Sequence, residues 1–191
     1  MRKPPLPFPR SYWVEPGKFL AGYNPGPRRD KPTCEEKLTN LMDCGIRSFV
    51  NLMEEGEVYL PHPFRKRYPV EGYEETAHAI ATQRGIEIRT ARFGIEDVEV
   101  PTVQQAITTL DYIDGEIAAD RPVFLHCQGG IGRTGVIVGC WLIRHNIATP
   151  ATALHAIHIL RQNINDGYGY ARLSPETREQ EQFVSKWMRG M

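Results

Sequence analysis

The chain has 191 residues, 41% of them hydrophobic, and its 23 basic residues balance 23 acidic ones to a formal net charge of +0. This length and apolar content predict one domain with a full hydrophobic core, and a chain without excess positive charge is not expected to bind nucleic acid. The longest apolar run, residues 136–143, is too short to span a bilayer.

The first part of the chain predicts a proline-rich arm followed by a single domain. Residues 1–12 form the arm, which we expect to be loosely packed, and residues 13–191 form the domain. The predicted elements here are a strand at 19–22, a helix that begins at a capping box of Thr33 and Glu36 and ends near Gly45, and a strand at 46–52.

The rest of the chain continues the alternation of strands and helices. The predicted elements are a helix at 74–84, strands at 86–93 and 122–125, helices at 102–118 and 136–143, and two further helices that begin at Thr149-Pro150 and at Ser174-Pro175, where an N-cap precedes a proline. Strands separated by helices predict an α/β fold with a largely parallel central sheet flanked by helices on both faces.

The run from His126 to Gly135, HCQGGIGRTG, lies between a predicted buried strand and a predicted buried helix. Its glycines allow consecutive backbone N–H groups to converge on an anion, and the helix N-terminus adds partial positive charge. The guanidinium of Arg133 can bind two oxygens of a phosphate at once. We therefore predict an anion-binding loop at the carboxyl end of a strand, where such sheets bind ligands.

Cys127, at the start of this loop, is the candidate nucleophile. A helix N-terminus and a nearby arginine lower the pKa of a cysteine and favour the thiolate, which is the reactive form. Thr134 is expected to donate a hydrogen bond to the sulfur, and His126 to order the loop instead of acting as a base.

His126-Cys127 followed by Arg133-Thr134 resembles the H-C-x5-R-[ST] signature of the cysteine-dependent protein tyrosine phosphatases, and the context is most similar to their compact dual-specificity branch. The resemblance implies a single phosphatase-like domain, a cysteinyl-phosphate intermediate and no metal or other cofactor. It also implies that a phosphorylated protein or peptide is the partner. The substrate-binding residues would be Gln128, Gly129, Gly130, Ile131, Gly132 and Arg133.

The same family requires a general acid upstream of the cysteine, in a stretch resembling I-P-D-x-x-x-P-[ST]. Residues 95–102, IEDVEVPT, place Asp97 on the aspartate, although Glu96 stands where a proline is common. Glu96 and Glu99 are rival candidates for the acid. A solvated acidic turn before a helix is the alternative, because acidic residues collect at helix N-termini.

Two further polar residues have open interpretations. Asn51 ends a predicted strand, where it either ties down the anion-binding loop, as in similar phosphatases, or caps a turn. Gln180 resembles a late glutamine that lies near the site in relatives, but a solvated helix face is the favoured interpretation. Arg65-Lys66-Arg67 is expected on a surface loop.

The four cysteines lack C-x-x-C spacing, which argues against a zinc site and a disulfide framework and predicts a reducing, cytoplasmic compartment. Cys34, Cys44 and Cys140 are expected to be packing residues, although one of them could form a disulfide with oxidised Cys127.

Positions 128–132 carry no positive charge, and Ile131 offers an apolar wall. We therefore expect a protein-tyrosine or dual-specificity phosphatase that hydrolyses phosphotyrosine best, phosphoserine and phosphothreonine variably, and inositol phosphates poorly. Three alternatives stay open: an inositol phosphate or phosphoinositide phosphatase, a phosphotyrosine-binding module without turnover, and a sulfur or arsenate redox enzyme.

Overall fold

The structure, a computed structural model, describes residues 5–27, 32–59, 68–164 and 172–190. No helix in these ranges is long and apolar enough to cross a membrane. In the described part of the chain the elements are β1 (Ser11–Glu15), β2 (Phe19–Tyr23), α1 (Cys34–Asp43), β3 (Ser48–Asn51), β4 (Val58–Tyr59), β5 (Tyr68–Pro69), α2 (Glu74–Gln83), β6 (Arg89–Arg92), α3 (Val103–Ala118), β7 (Val123–Cys127), α4 (Gly132–Arg144), α5 (Ala153–Arg161) and α6 (Arg178–Lys186).

The central sheet has five strands in the order β1-β2-β7-β3-β6. The β1–β2 pair is antiparallel, whereas β2–β7, β7–β3 and β3–β6 are parallel. The predicted single-domain α/β fold with a largely parallel sheet is therefore confirmed. Because Tyr23 pairs with Cys127 and Asn51 with His126, the carboxyl ends of three strands meet at one edge, with β7 in the centre.

Alternate residues of the strands face two separate cores. In β7, Val123 and Leu125 belong to the core shared with α3, α4, α5 and α6, whereas Phe124 belongs to the core shared with α1 and α2. This period of two is the property of an extended strand that lets one sheet bury both faces under helices. The arrangement places β7, and the loop that follows it, in the middle of the molecule.

The prediction of a loosely packed arm at residues 1–12 is wrong for its described part. β1 begins at Ser11, so the domain boundary lies before residue 13. Phe8 is buried, with its ring edge-to-face to Tyr23 at 5.3 Å and to Phe124 at 5.8 Å. Burial of a large aromatic ring stabilises this contact, which a proline-rich composition does not reveal.

Two predicted helix starts are also wrong. The Thr149-Pro150 pair predicted a helix that begins there, but α5 begins at Ala153. Residues 149–152 form a turn instead, in which the Thr149 carbonyl accepts hydrogen bonds from the backbone N–H groups of Thr152 and Ala153. α6 begins after Thr177, whose hydroxyl caps the helix in a capping box with Gln180. The hydroxyl of Ser174 does not cap this helix. It donates to the carbonyl of Ile131, which lies 43 positions away in the sequence and is brought close by tertiary packing.

Candidate active site

The candidate site lies where β7 ends and α4 begins. Cys127 is the last residue of β7 and is 3% exposed, and α4 starts at Gly132. Residues 128–131 form the turn between them. The N-terminus of α4 therefore follows the sulfur-bearing residue closely, in the arrangement that the sequence predicts for an anion-binding loop.

Five consecutive carbonyl groups, those of residues 127–131, accept hydrogen bonds from groups that surround the loop. The donors are the His126 ring for Cys127 (3.2 Å), the Asn24 backbone for Gln128 (3.4 Å), the Arg10 guanidinium for Gly129 (3.4 Å), the Arg161 guanidinium for Gly130 (2.7 Å) and the Ser174 hydroxyl for Ile131 (2.7 Å). Asn24 also donates from its side chain to the Gln128 side chain at 3.0 Å.

The direction of these carbonyls determines the direction of the amides. A peptide group is planar and trans, so its N–H points opposite to its C=O. The N–H groups of residues 128–132 therefore point away from the surrounding donors, toward the concave side of the loop. Amides that converge in this way form a nest for an anion. Sequence reasoning missed Arg10, Asn24 and Arg161 as supports, because they lie 31 to 119 positions from their acceptors and leave no local signal.

His126 is held neutral beneath the loop. Burial lowers the pKa of His126 from 6.5 to about 4. Its Nδ1 faces the Cys127 carbonyl, which can only accept, so Nδ1 carries the proton and Nε2 accepts from the Tyr73 hydroxyl at 2.7 Å. A neutral imidazole with both nitrogens engaged orders the loop and is not available as a general base.

The pKa of His126 predicts a loss of stability in acid. Because the folded state binds the proton more weakly than the unfolded state, stability falls as the pH drops below about 6.5, and the full penalty is reached below about 4. Between about pH 7 and pH 4.5 we expect the wild type to lose about 2–3 kcal/mol more unfolding free energy than H126Q, whose amide cannot protonate. Urea unfolding at both pH values measures this difference, and equal losses in the two proteins would contradict it.

Arg133, in the first turn of α4, is bound by carboxylates. Its Nη1 and Nη2 donate to the two oxygens of Glu57 at 2.5 and 2.9 Å, and Nη1 also donates to the Ile95 carbonyl at 2.9 Å. Burial alone lowers the pKa of Arg133, but the hydrogen bond with Glu57 and the negative charges around it raise that pKa above its ordinary value. The guanidinium is thus a fixed cation beside the loop.

Glu57 is a site residue that the sequence did not identify. It lies in a turn between β3 and β4, 76 positions from Arg133, within a run of glutamates that resembles a solvated surface segment. A bidentate carboxylate holds the planar fork of an arginine in one orientation.

Asp97 lies at the mouth of the site. One carboxylate oxygen is 2.8 Å from Nη2 of Arg133, and the side chain is 62% exposed. Of the three acidic side chains in this described turn, Asp97 is the one within ion-pair distance of Arg133. The next residue, Val98, has a φ of 63°, an uncommon backbone conformation for a β-branched residue. The ion pair brings Asp97 closer to the arginine of the loop than Glu96 or Glu99, and its role as the acid stays a prediction.

For the phosphatase activity that the sequence predicts, we expect Asp97→Ala to lower kcat by about 10²–10⁴, because the leaving oxygen then departs without a proton. The loss should shrink for aryl phosphates whose leaving groups have a low pKa. Glu96→Ala and Glu99→Ala are matched controls from the same turn and should keep most of the activity. If Asp97→Ala matches the wild type on a poor leaving group while either control fails, the acid is misassigned.

The favoured interpretation of Gln180 as part of a solvated helix face is wrong. Gln180 is fully buried, and its amide donates to the Glu99 carbonyl at 2.9 Å. Its side-chain oxygen accepts from the backbone of Glu176 at 3.0 Å and would lie 2.8 Å from a Cβ at Gly132. The residue therefore joins α6 to the turn that carries Asp97 and packs against the start of α4.

Asn51 caps a turn, the second of its two interpretations. Its side-chain oxygen accepts from the Met53 backbone at 2.9 Å, and its amide donates to Glu74 at 3.2 Å. Arg92 pairs with the same Glu74 at 2.7 Å, so that β3, α2 and β6 are joined beside the site.

Two predicted contacts of the loop are wrong. The buried hydroxyl of Thr134 has no hydrogen-bond partner among the described residues, so the predicted bond to the sulfur of Cys127 is not made. The side chain is β-branched and lies in α4, so the packing of the helix sets the direction of the hydroxyl. Ile131 is 1% exposed and does not form an open apolar wall, because its side chain folds against the loop near Gly129.

A family model described as "Tc-R-P: Polymorphic toxin system, DSP-PTPase phosphatase" matches residues 24–147, which contain Asp97, Cys127 and Arg133. The chain belongs to this family. Its placement among the DSP-PTPase phosphatases confirms the family resemblance predicted from the loop.

Among curated proteins similar to this DSP-PTPase chain, the match covers only part of each protein's length. It is 30% identical over 104 residues to an uncharacterized protein of Methanocaldococcus jannaschii, covering 54% of this chain and 58% of that protein. It is 27% identical over 149 residues to the dual specificity protein phosphatase CDC14AB of Danio rerio, covering 78% of this chain and 21% of that protein. The chain thus spans less than two thirds of the length of these relatives.

Solved structures share the fold of this DSP-PTPase chain. Tk-PTP in its active form superposes with a TM-score of 0.64 at 21% identity, covering 94% of this chain and 97% of that one. PTPMT1 in complex with PI(5)P superposes with a TM-score of 0.59 at 17% identity, covering 93% of each chain. Both likenesses confirm the predicted phosphatase-like fold.

Proposed function

We propose that the protein is a cysteine-dependent phosphomonoester hydrolase that acts on phosphotyrosine residues of proteins or peptides, with phosphoserine and phosphothreonine as weaker substrates. The observation that carries the proposal is that the loop between Cys127 and Arg133 turns its carbonyls toward surrounding donors, while Arg133 contacts Asp97. These groups supply a nucleophile, an anion clamp and an acid at one place.

In the proposed reaction Cys127 attacks phosphorus in line, so that an S–P bond forms while the bond to the leaving oxygen breaks. The loop amides and Arg133 stabilise the equatorial oxygens, and Asp97 donates its proton to the leaving oxygen. Asp97 then accepts a proton from the attacking water. The P–S bond breaks, phosphate is released and the thiolate is restored.

The charges near the loop support a singly phosphorylated substrate. The neighbouring cavity of about 210 Å3 is lined in part by Glu54, Glu55 and Glu71, and also by Glu57, whose charge is compensated by Arg133. The arginine that lines this cavity, Arg92, is paired with Glu74 and donates to the Met53 carbonyl, so the charge of Arg92 is compensated. Negative charge beside the site disfavours a polyanionic ring. The exposed apolar side chain next to Asp97 is Val98, at 52%. In this proposal it contacts an aromatic leaving group. The predicted Arg65-Lys66-Arg67 loop lies outside the described residues.

The test compares kcat/KM for phosphotyrosine peptides, phosphoserine peptides and a soluble short-chain phosphoinositide, with C127S prepared in parallel to exclude contaminating phosphatases. We expect phosphotyrosine peptides to give the highest value. A higher value for the phosphoinositide would overturn the choice of substrate and favour the phosphoinositide class that PTPMT1, solved with PI(5)P, represents. Phosphotyrosine binding without phosphate release from any substrate would instead indicate a silent binding module.

We also propose that the protein acts in the cytoplasm. All four of its cysteines are free, namely Cys34, Cys44, Cys127 and Cys140. A thiolate nucleophile needs a reducing environment to stay active, because peroxide converts it to sulfenic and higher acids. Fractionation of cells that express the natural protein, followed by immunodetection, tests this placement.

A further inference from the structure

Arg161 is a buried cation beneath the phosphate-binding loop that the proposed chemistry does not use. It is the last residue of α5 and is 2% exposed. Its Nη1 donates to the Gly130 carbonyl at 2.7 Å, and its guanidinium carbon lies 5.5 Å from the ring centroid of Tyr12 in β1. A hydrogen bond from a charged donor is stronger than one between neutral groups, so this contact holds its acceptor firmly.

The peptide that Arg161 binds is the one that presents the amide of Ile131. Since C=O and N–H are opposed across a trans peptide, a carbonyl of Gly130 turned toward Arg161 turns the Ile131 N–H toward the concave side of the loop. Gly130 itself has a φ of 68°, and a Cβ added to it would meet the backbone of Gly22 in β2. Arg161 is therefore bound to a loop position that has no room for a side chain.

The positive charge of Arg161 also acts on the loop that contains Gly130 and Ile131. A cation that is withdrawn from water is screened less than one on the surface, so its field extends to the neighbouring loop. An anion bound by the loop amides is stabilised by such a field.

We propose that Arg161 is a positioning residue of the loop: it orients the Gly130–Ile131 peptide toward a bound phosphate and contributes positive potential to the anion-binding side of the loop. The inference rests on the proposed function insofar as the loop binds phosphate, but it does not require turnover. An experiment that measures phosphate binding therefore tests the role of Arg161 independently of catalytic turnover.

The experiment uses R161M, which keeps an unbranched stem without the guanidinium, and R161K, which keeps the charge. R121M is the matched control, because Arg121 is a partly buried arginine whose guanidinium binds Glu116 outside the site. Two quantities are measured for each protein: inorganic phosphate affinity by calorimetry and the melting temperature.

We expect R161M to bind phosphate at least about tenfold more weakly, whereas R121M keeps wild-type phosphate affinity. R161K should recover part of the affinity. If R161M melts lower but keeps wild-type phosphate affinity, the residue is merely structural and the proposal is overturned.

Should R161M fail to fold, R161Q carries the same test, since its neutral and shorter side chain does not reproduce the charged hydrogen bond of arginine; wild-type phosphate affinity would again overturn the proposal. A wild-type protein that binds phosphate but releases none from an aryl phosphate rejects the proposed function and leaves the affinity readout valid for Arg161. A wild-type protein that does not bind phosphate overturns both.

Discussion

The C127S variant is expected to lose phosphate release by about 10⁴-fold or more while it still binds inorganic phosphate. A serine hydroxyl is not ionised near neutral pH and cannot form the S–P bond of the intermediate. The anion clamp stays in place, because Glu57 holds Arg133 and the surrounding donors hold the loop carbonyls. Phosphate release with an aryl phosphate and calorimetry with inorganic phosphate measure the two properties separately.

Cys44→Ser is the matched control. Cys44 follows α1, outside the site, and burial raises the pKa of its thiol, which favours the unreactive protonated form. This variant should keep wild-type turnover. Residual turnover of C127S above about a hundredth of the wild-type rate would show that another group performs the attack.

Gly130→Ala should have the second largest effect, with kcat/KM falling by about 100-fold or more. A Cβ on Gly130 would lie 2.4 Å from the carbonyl carbon and oxygen of Gly22 and 2.6 Å from the Tyr23 nitrogen. These are backbone atoms of β2, which is paired on both sides, so they cannot yield and the loop must shift instead. The φ of 68° adds the cost of a left-handed conformation for alanine.

Gly129→Ala is the adjacent comparison. A Cβ there would meet only the side chain of Ile131, at 3.7 and 3.8 Å, which is ordinary contact. We therefore expect a much smaller loss for this variant than for Gly130→Ala, both in kcat/KM and in phosphate affinity. Similar losses in the two variants would mean that glycine is needed throughout the turn and not because of the contact with β2.

Local patterns predicted much of the fold. The capping box of Thr33 and Glu36 is present, and α2 lies within one residue of its predicted bounds. The strand expected at 86–93 is limited to Arg89–Arg92 because ladder hydrogen bonds, which depend on a partner strand, define its ends. The sequence did not predict β1 for a related reason. Its burial depends on pairing with β2 and on the nearby buried Phe8, and the alternation of polar and apolar residues within the arm reveals neither.

Polar residues gave the least reliable predictions. Gln180 lies among glutamates and glutamines that indicate a solvated helix, yet it is buried against Glu99 and Glu176. Polarity in a sequence reports the chemical type of a side chain and not its hydrogen-bond partners. A buried polar residue is stable only where such partners exist, and they come from distant segments.

The sequence by itself determined the chemistry of the loop, since Cys127, its glycines and Arg133 stand within seven consecutive residues and their function depends on local backbone geometry. The tertiary structure alone decided how that loop is held. Glu57 reaches Arg133 from 76 positions away, and Arg161 reaches Gly130 from 31 positions away. Loop carbonyls and a buried guanidinium must find partners when they leave water, and the packing of the whole chain, not its local pattern, brings those partners into place.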